Sequence, residues 1–305
     1  MGEYVPGRNF RFVYYDDVGD VGDPSRAVRT AAASINDRGL RGADFPADKP
    51  DGTLRILFVG DSFTFGEGVE DDRPFPSLLQ QRFDSRPGDP SVHVINAGVS
   101  GYNTRDEVAY LESRWLAFDP DLVILVFYLN DAYDDGRFAE LIMGGERGQL
   151  QRASESPSRL WALVETRYSR WRASRRIIEI YRAQFSGKPS IDGHDWEGSK
   201  KALARAAAIT RERSISFAVV IFPELHALDD SHPFASIYEL VEAHVDSLGV
   251  PVLNLFPAFR GQRTDELWVH VTDHHPNERG HRIAADALWE FLHDPEHGLL
   301  GAQPR

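Results

Sequence analysis

Short apolar runs rich in strand-forming residues recur along the chain from about residue 53 onward. A run that is apolar at nearly every position is typical of a strand buried on both faces of a sheet. The pattern predicts five such strands, which are Arg55–Val59, Val92–Asn96, Leu122–Tyr128, Ser216–Phe222 and Val250–Leu255.

Segments with helical periodicity lie between or after these strands. They predict five helices, at Pro74–Phe83, Thr104–Trp115, Trp196–Arg213, Pro233–Leu248 and Asn277–Leu292. Strands that alternate with helices indicate a parallel sheet covered on both faces. We therefore predict an α/β fold, a three-layer α/β/α sandwich around a five-stranded parallel sheet of the flavodoxin-like order 2-1-3-4-5.

In this order the first and third strands are neighbours, and the direction of the connections reverses between them. Ligands bind at such a point, outside the carboxyl ends of the strands. Ser62 follows the first strand and Asn130 follows the third. We therefore expect these two side chains to lie close together.

The regular alternation breaks between Ala132 and Asp195, an interval too long for a simple loop. Its middle, residues 158–185, has an apolar stripe at helical spacing, so we predict a helical insertion at about residues 132–195. Eight arginines lie between Arg152 and Arg182. We favour a helix packed on the body with a solvated arginine face. A lid over the active site, a dimer contact and, last, binding to a membrane surface are the alternatives.

The first fifty residues carry a weaker pattern. Phe10–Tyr15 predicts a strand at the edge of the sheet. We expect residues 1–52 to form an N-terminal extension packed on the core and residues 53–305 to form the main domain. The sequence leaves the oligomeric state open.

Composition limits the possible partners. The chain of 305 residues is 42% hydrophobic and carries 34 Lys and Arg against 47 Asp and Glu, a formal charge of −13. Because an acidic surface repels phosphate backbones, we expect no nucleic-acid partner. The absence of cysteine excludes disulfides, thiolate metal sites and a cysteine nucleophile. The sequence shows no signal-peptide pattern and no apolar run long enough for a membrane helix. We therefore expect a cytoplasmic protein.

Candidate chemistry begins directly after the first predicted strand, in the stretch RILFVGDSFTFGEG. A hydroxyl at the carboxyl edge of a sheet lies near free backbone N–H groups that can hold an oxyanion. Ser62 is therefore a candidate nucleophile. Serine is also common in turns and at helix N-caps, so this stretch alone leaves both interpretations open.

Three further polar blocks follow in chain order. They are residues 96–104 (NAGVSGYNT) after the second strand, residues 128–131 (YLND) after the third, and residues 273–281 (DHHPNERGH) before the last helix. Together with the serine turn, these blocks resemble the SGNH, or GDSL-type, hydrolases, a large family of esterases, lipases and carbohydrate deacylases. Any single block is weak support, but four in order at predicted strand ends and helix starts are specific.

The resemblance implies a serine nucleophile, Ser62, with His275 of the HPN segment as its base. Chemistry agrees, since a hydroxyl needs a base within hydrogen-bond reach and imidazole exchanges protons near neutral pH. His274 is a rival base, and His281 suits a structural role. Asp273 is the nearest carboxylate that could orient the ring. Many family members place the acid three residues before the histidine, where this chain has Thr272.

The resemblance also supplies an oxyanion hole from the backbone N–H groups of Ser62 and Gly101 and the side-chain amide of Asn130. Gly98 is a rival for the glycine, and Asn130 could simply be a turn residue. We expect Asp61 and Asp131 to tie neighbouring turns together.

A metal site built from the clustered histidines around Asp273 lacks a second group of ligands, so we predict neither a metal nor a cofactor. The sequence predicts a serine esterase that hydrolyses an acyl ester, possible substrates being small-molecule or glycan esters that include O-acetyl groups. An O-acyltransferase that uses the same serine is the alternative, and a non-catalytic glycan- or lipid-binding module is the third. The acyl chain and the alcohol stay undetermined.

Overall fold

A computed structural model describes residues 4–16, 20–86, 91–132, 178–179, 181–186 and 196–300. The predicted helical insertion therefore lies largely outside the described residues, and so does most of its basic aromatic stripe. Within the described ranges, no helix is both long enough and apolar enough to cross a bilayer.

Strands and helices of the described residues are numbered in chain order. The strands are β1 Asn9–Tyr14, β2 Arg29–Ser34, β3 Thr53–Gly60, β4 Ser91–Gly98, β5 Leu122–Phe127, β6 Ser216–Ile221, β7 Val252–Asn254, β8 Trp268–His270 and β9 Asp273–Pro276. The α-helices are α1 Ser62–Phe65, α2 Phe75–Asp84, α3 Thr104–Ser113, α4 Trp196–Glu212, α5 Ala235–Ser247, α6 Phe256–Phe259 and α7 Glu278–His293.

Five parallel strands form the central sheet in the order β4-β3-β5-β6-β7. Counted among themselves, these strands follow the predicted order 2-1-3-4-5, which is confirmed. Every residue of β3 and of β5 is buried, because helices cover both faces of the sheet. The apolar runs in the sequence reflect that burial.

The helices lie in two layers on the sheet. Helix α2 packs against β4 and α7, whereas α3 packs against α4. Helix α7 shows how the sequence produces this arrangement. Asn277 caps its N-terminus by accepting hydrogen bonds from two backbone N–H groups, and its buried face includes Ala284, Leu288 and Phe291. The result is the predicted three-layer α/β/α sandwich.

The prediction that residues 10–15 form an edge strand of the main sheet is wrong. Strand β1 pairs antiparallel with β2 in a separate two-stranded sheet, with Phe10 opposite Ala33. Strand β2 was not predicted, because its sequence RTAAAS is rich in alanine, which has low strand propensity. The small side chains of Ala31 and Ala33 are buried, which lets the hairpin pack closely on the protein.

The edge of the main sheet is instead approached by a later segment. Arg41 forms an isolated antiparallel bridge with Asn96 on β4. The antiparallel pair of β8 and β9 then leads into α7 and carries the acid and histidine of the fourth sequence block. These two features bring a segment from before β3 and a segment from late in the chain to the carboxyl edge of the sheet.

Candidate active site

Ser62 is the first residue of α1, directly after β3. Asp61 is the N-cap, and its Oδ1 accepts a hydrogen bond from the backbone N–H of Phe63 at 2.9 Å. The cap role that was open for the serine thus belongs to Asp61. This leaves the buried Ser62 hydroxyl free for another partner.

The side chains of Ser62, His275 and Asp273 form a continuous hydrogen-bonded chain. The His275 Nε2 atom lies 2.8 Å from Ser62 Oγ, and its Nδ1 atom lies 2.5 Å from Asp273 Oδ1. The same carboxylate oxygen accepts the backbone N–H of His275 at 3.1 Å. The structure therefore brings the three predicted residues together, across 213 positions of sequence between the serine and the histidine.

The short spacing between acid and base has a structural reason. Asp273 and His275 lie on strand β9, where residues two apart point to the same side. His274 between them points the other way, and its ring stacks on Trp268 with centroids 3.9 Å apart. An Asp-x-His spacing therefore suits a strand, and it separates the rival His274 from the serine.

Neighbouring charges shift the pKa values of this pair in opposite directions. Burial alone lowers the pKa of His275, but the hydrogen bond with Asp273 and the charges of Glu67, Asp273 and Asp61 outweigh it and raise the pKa to about 9. Burial alone raises the pKa of Asp273. Hydrogen bonds and charge from His275, helped by Tyr14, lower it to about 2. The imidazolium and the carboxylate thus stabilise each other.

Asn130 lies in a one-turn 3₁₀ helix after β5 and is buried. Its Nδ2 donates to Asp61 Oδ2 at 2.9 Å, so the carboxylate that caps α1 also orients this amide. Burial raises the pKa of Asp61 to about 6, although the hydrogen bonds from Phe63 and Asn130 lower it in part. The expected proximity of Asn130 to the serine turn is present.

The predicted glycine lies in the loop after β4. Gly101 has a left-handed backbone with φ 81°, and this loop is tied to the serine turn because Val99 N–H donates to Gly60 O at 2.9 Å. Its rival, Gly98, has a packing role. A Cβ atom there would lie 2.2 Å from the backbone nitrogen of Phe65, so only glycine lets α1 approach β4.

The remaining predicted polar residues have structural partners. Asp131 Oδ2 accepts the backbone N–H of Tyr128 at 2.9 Å. His281 is buried in α7, where desolvation lowers its pKa to about 3, and its Nδ1 faces the Phe75 N–H at 3.3 Å. His270 Nδ1 lies 2.8 Å from Thr272 Oγ1. Among the described side chains, no three His, Cys, Asp or Glu residues are arranged to hold a metal ion.

A second carboxylate, which the sequence motifs did not indicate, lies beside the base. Glu67 follows α1, and its Oε2 atom lies 3.6 Å from His275 Nε2. Its position between Gly66 and Gly68 in the GEG tripeptide was the available signal. A polar residue flanked by two glycines just after a candidate nucleophile is itself a candidate for the site.

The contribution of the N-terminal segment was also missed. Tyr14 donates its hydroxyl proton to Asp273 Oδ2 at 2.9 Å, and Tyr4 donates to Ser100 Oγ at 2.8 Å, beside Gly101. Arg41 donates to the carbonyl oxygens of several residues in the loop after the serine. These contacts join residues that are far apart in sequence, so the pattern of neighbouring residues does not predict them.

A serine, histidine and carboxylate aligned at the carboxyl edge of a parallel sheet are typical of serine hydrolases. The model of the GDSL-like Lipase/Acylhydrolase family matches residues 58–283. The chain therefore belongs to this family and is a hydrolase of ester bonds. No curated protein matches it.

Solved structures share its fold. Axe2, an acetylxylan esterase from Geobacillus stearothermophilus, is 15% identical with a TM-score of 0.51, over 79% of this chain and 94% of that one. LAE5, an alpha/beta hydrolase enzyme from the metagenome of Lake Arreo in Spain, is 17% identical with a TM-score of 0.51, over 83% of this chain and 98% of that one. At these identities the likeness concerns the fold alone.

Proposed function

We propose that this protein is a serine esterase in which Ser62 forms an acyl-enzyme, His275 transfers the proton and Asp273 orients the imidazole. The observation that carries the proposal is the unbroken chain of hydrogen bonds from Ser62 Oγ through both ring nitrogens of His275 to Asp273. A hydroxyl paired with a base that is itself oriented by a carboxylate is the arrangement that activates a serine for acyl transfer.

In the first half of the reaction, the neutral form of His275 accepts the proton of Ser62 Oγ at Nε2, and Oγ bonds to the carbonyl carbon of the ester. The tetrahedral intermediate collapses when the bond to the alcohol oxygen breaks, and His275 returns the proton to that oxygen. The product is an ester of Ser62 and a free alcohol. Asp273 stays ionised and stabilises the imidazolium, in keeping with its lowered pKa.

The negative charge of the intermediate requires donors fixed in advance. We assign the backbone N–H groups of Ser62 and Gly101 and the Nδ2 of Asn130 to this role. Burial of Asn130 and its hydrogen bond to Asp61 support the assignment, since they hold the amide in one orientation.

An O-acetyl ester of a carbohydrate is the substrate class we favour. Axe2 is an acetylxylan esterase, and its variants lacking a serine or an aspartate are described as catalytic mutants. The shared fold supports an acetyl ester as the first substrate to test. Transfer of the acyl group to an alcohol and a non-catalytic binding role are the competing outcomes.

Replacing the proposed nucleophile provides the direct test. We expect S62A to lose about 10³-fold or more of the hydrolysis of p-nitrophenyl acetate and to resist labelling by a fluorophosphonate, because no other group can form the acyl-enzyme. The exposed S113A variant at the end of α3 is the matched control and should behave as wild type. Undiminished hydrolysis by folded S62A would refute the proposal.

A further inference from the structure

Glu67 lies beside the reacting nitrogen of the proposed base. Its Oε2 atom is 3.6 Å from His275 Nε2, the same nitrogen that lies 2.8 Å from Ser62 Oγ. The Glu67 side chain is 25% exposed, and within the described part of the chain no hydrogen-bond donor reaches its carboxylate. The Glu67 carboxylate, which can accept further hydrogen bonds, thus lies next to His275 Nε2, where the substrate oxygens react.

Hydrogen bonds hold the backbone of the loop that carries this carboxylate. Glu67 N–H donates to Ser62 O at 3.1 Å. The flanking carbonyl oxygens are also bound, Gly66 O by Arg41 and Gly68 O by Arg29 at 2.9 Å. The backbone of Glu67 is therefore held next to the serine, within reach of the reacting atoms.

Apart from His275 itself, the described donors near Glu67 are engaged elsewhere. The Arg41 guanidinium pairs with Asp71 at 3.3 Å and with backbone carbonyls. The Tyr14 hydroxyl donates to Asp273. As far as the described residues show, the Glu67 carboxylate can accept a hydrogen bond from a molecule bound at His275.

The distances fit one shared oxygen atom. In each half of the reaction, an oxygen must lie within hydrogen-bond distance of His275 Nε2, first that of the leaving alcohol and then that of the attacking nucleophile. An oxygen about 2.8 Å from that nitrogen can also lie about 2.8 Å from an acceptor 3.6 Å away. Glu67 Oε2 meets this requirement.

We propose that Glu67 positions the water that hydrolyses the acyl-enzyme and thereby favours hydrolysis over acyl transfer to an alcohol. The inference rests on the proposed function, because it needs the ester of Ser62. It assigns to the second carboxylate a role that the histidine–aspartate pair does not fill.

Hydrolysis of the acyl-enzyme conserves atoms and charge. The water gives one proton to His275 Nε2 while its oxygen bonds to the acyl carbon, and its second hydrogen is donated in a hydrogen bond to Glu67. Collapse of the tetrahedral intermediate breaks the bond to Ser62 Oγ, which receives the proton from His275. The carboxylic acid leaves. Glu67 takes no proton and only orients the water.

A simple alcohol cannot satisfy both groups. Its single hydroxyl proton goes to His275, so the carboxylate of Glu67 faces either the alkyl group or the lone pairs of the alcohol oxygen. Water has two hydrogens and can donate one to His275 and one to Glu67. Compared with an alcohol, it therefore makes one additional hydrogen bond, and the acceptor is charged. Glu67 thus acts on the choice between water and alcohol rather than on formation of the acyl-enzyme.

The test compares wild type, E67Q, E67A and E70Q with p-nitrophenyl acetate in the presence of one concentration of methanol. The pre-steady-state burst of nitrophenolate measures acylation, and the ratio of methyl acetate to acetate measures how the acyl-enzyme divides between alcohol and water. We expect this ratio to rise about tenfold in E67A, the value of one hydrogen bond to a charged group. It should rise less in E67Q, whose amide oxygen still accepts. Glu70 is exposed three residues further on, so E70Q should match wild type.

A second readout separates positioning from a merely structural role. Loss of the Glu67 charge should move the ascending limb of the pH–rate profile to lower pH in E67Q, because Asp61 and Asp273 alone then stabilise the imidazolium. A variant that only loosened the fold would lower its melting temperature and slow both half-reactions without moving the product ratio.

Unchanged product ratios in both folded Glu67 variants, with Ser62 acylated normally, would overturn the inference and leave the proposed function intact. Mass spectrometry that finds no fluorophosphonate adduct on Ser62 of the folded wild-type enzyme would overturn both. A raised ratio with unimpaired acylation would support the role of Glu67.

Discussion

At the scale of single residues, one carboxylate links three parts of the candidate site. Asp61 caps α1 through Oδ1 and holds the Asn130 amide through Oδ2, and it follows directly on β3. Its burial raises its pKa, so the ionised form depends on these donors. The aspartate next to the serine thus orients Asn130, one of the oxyanion donors that we propose, and caps the helix that begins with Ser62.

Two substitutions of Asp61 should separate its roles. D61A loses the cap and the orientation of Asn130, so we expect the free energy of unfolding to fall by about 1 kcal/mol or more and kcat to fall about 10²-fold. D61N keeps an acceptor for the Phe63 N–H but turns an amide N–H₂ toward Asn130. We expect it to lose activity like D61A while retaining most of the stability that the cap provides.

Urea unfolding and kcat with p-nitrophenyl acetate measure the two effects. Wild-type activity in D61N would show that the orientation of Asn130 does not depend on the carboxylate.

At the scale of elements, the N-terminal segment supports the loops of the site. Arg41 is almost fully buried, and its guanidinium binds the carbonyl oxygens of Phe65, Gly66 and Val69. These groups belong to the turn that leaves α1, and besides the guanidinium only the Asn96 amide reaches one of them among the described residues, Phe65 O at 3.4 Å. The Arg41 side chain thus supplies most of the hydrogen bonds that helix or strand partners would otherwise make to this turn.

We expect R41M to lower the free energy of unfolding by about 2–4 kcal/mol, because several buried carbonyl oxygens lose their donors together. Arg11 is exposed on β1 and provides the control. R11M should stay within about 0.5 kcal/mol of wild type in urea unfolding. Equal stabilities of R41M and R11M would show that water or a neighbouring group replaces the guanidinium at no cost.

At the scale of the whole molecule, the candidate site couples stability to pH. The pKa of His275 is raised to about 9 in the folded protein, against about 6.5 for an unperturbed imidazole. The stability that its protonated form contributes is fully present below about pH 6.5 and is lost as the pH rises through about 9. The described histidines with lowered pKa values titrate below this window, so they do not obscure it.

We therefore expect wild type to lose free energy of unfolding between about pH 7 and pH 9.5 relative to H275Q, which has no titrating group at this position. Urea denaturation of both proteins across that range measures the difference. Parallel curves for the two proteins would mean that the imidazolium is not stabilised by the surrounding carboxylates.

The sequence by itself determined the layered fold and the order of its sheet. Apolar runs and helical periodicity are local patterns, and the handedness of strand–helix–strand connections leaves few ways to assemble them. It also identified Ser62, Asn130 and His275 as candidates, since each stands next to the end of a strand or the start of a helix. These positions can be predicted from neighbours only a few residues away.

Only the tertiary structure decided which other groups surround them. Tyr14 and Asp273 are 259 residues apart in sequence, and the strand that pairs with β1 has little strand propensity of its own. The contact between Glu67 and His275 likewise depends on how two distant loops meet. Such contacts arise from the packing of the whole chain, and no pattern within a few residues of either partner encodes them.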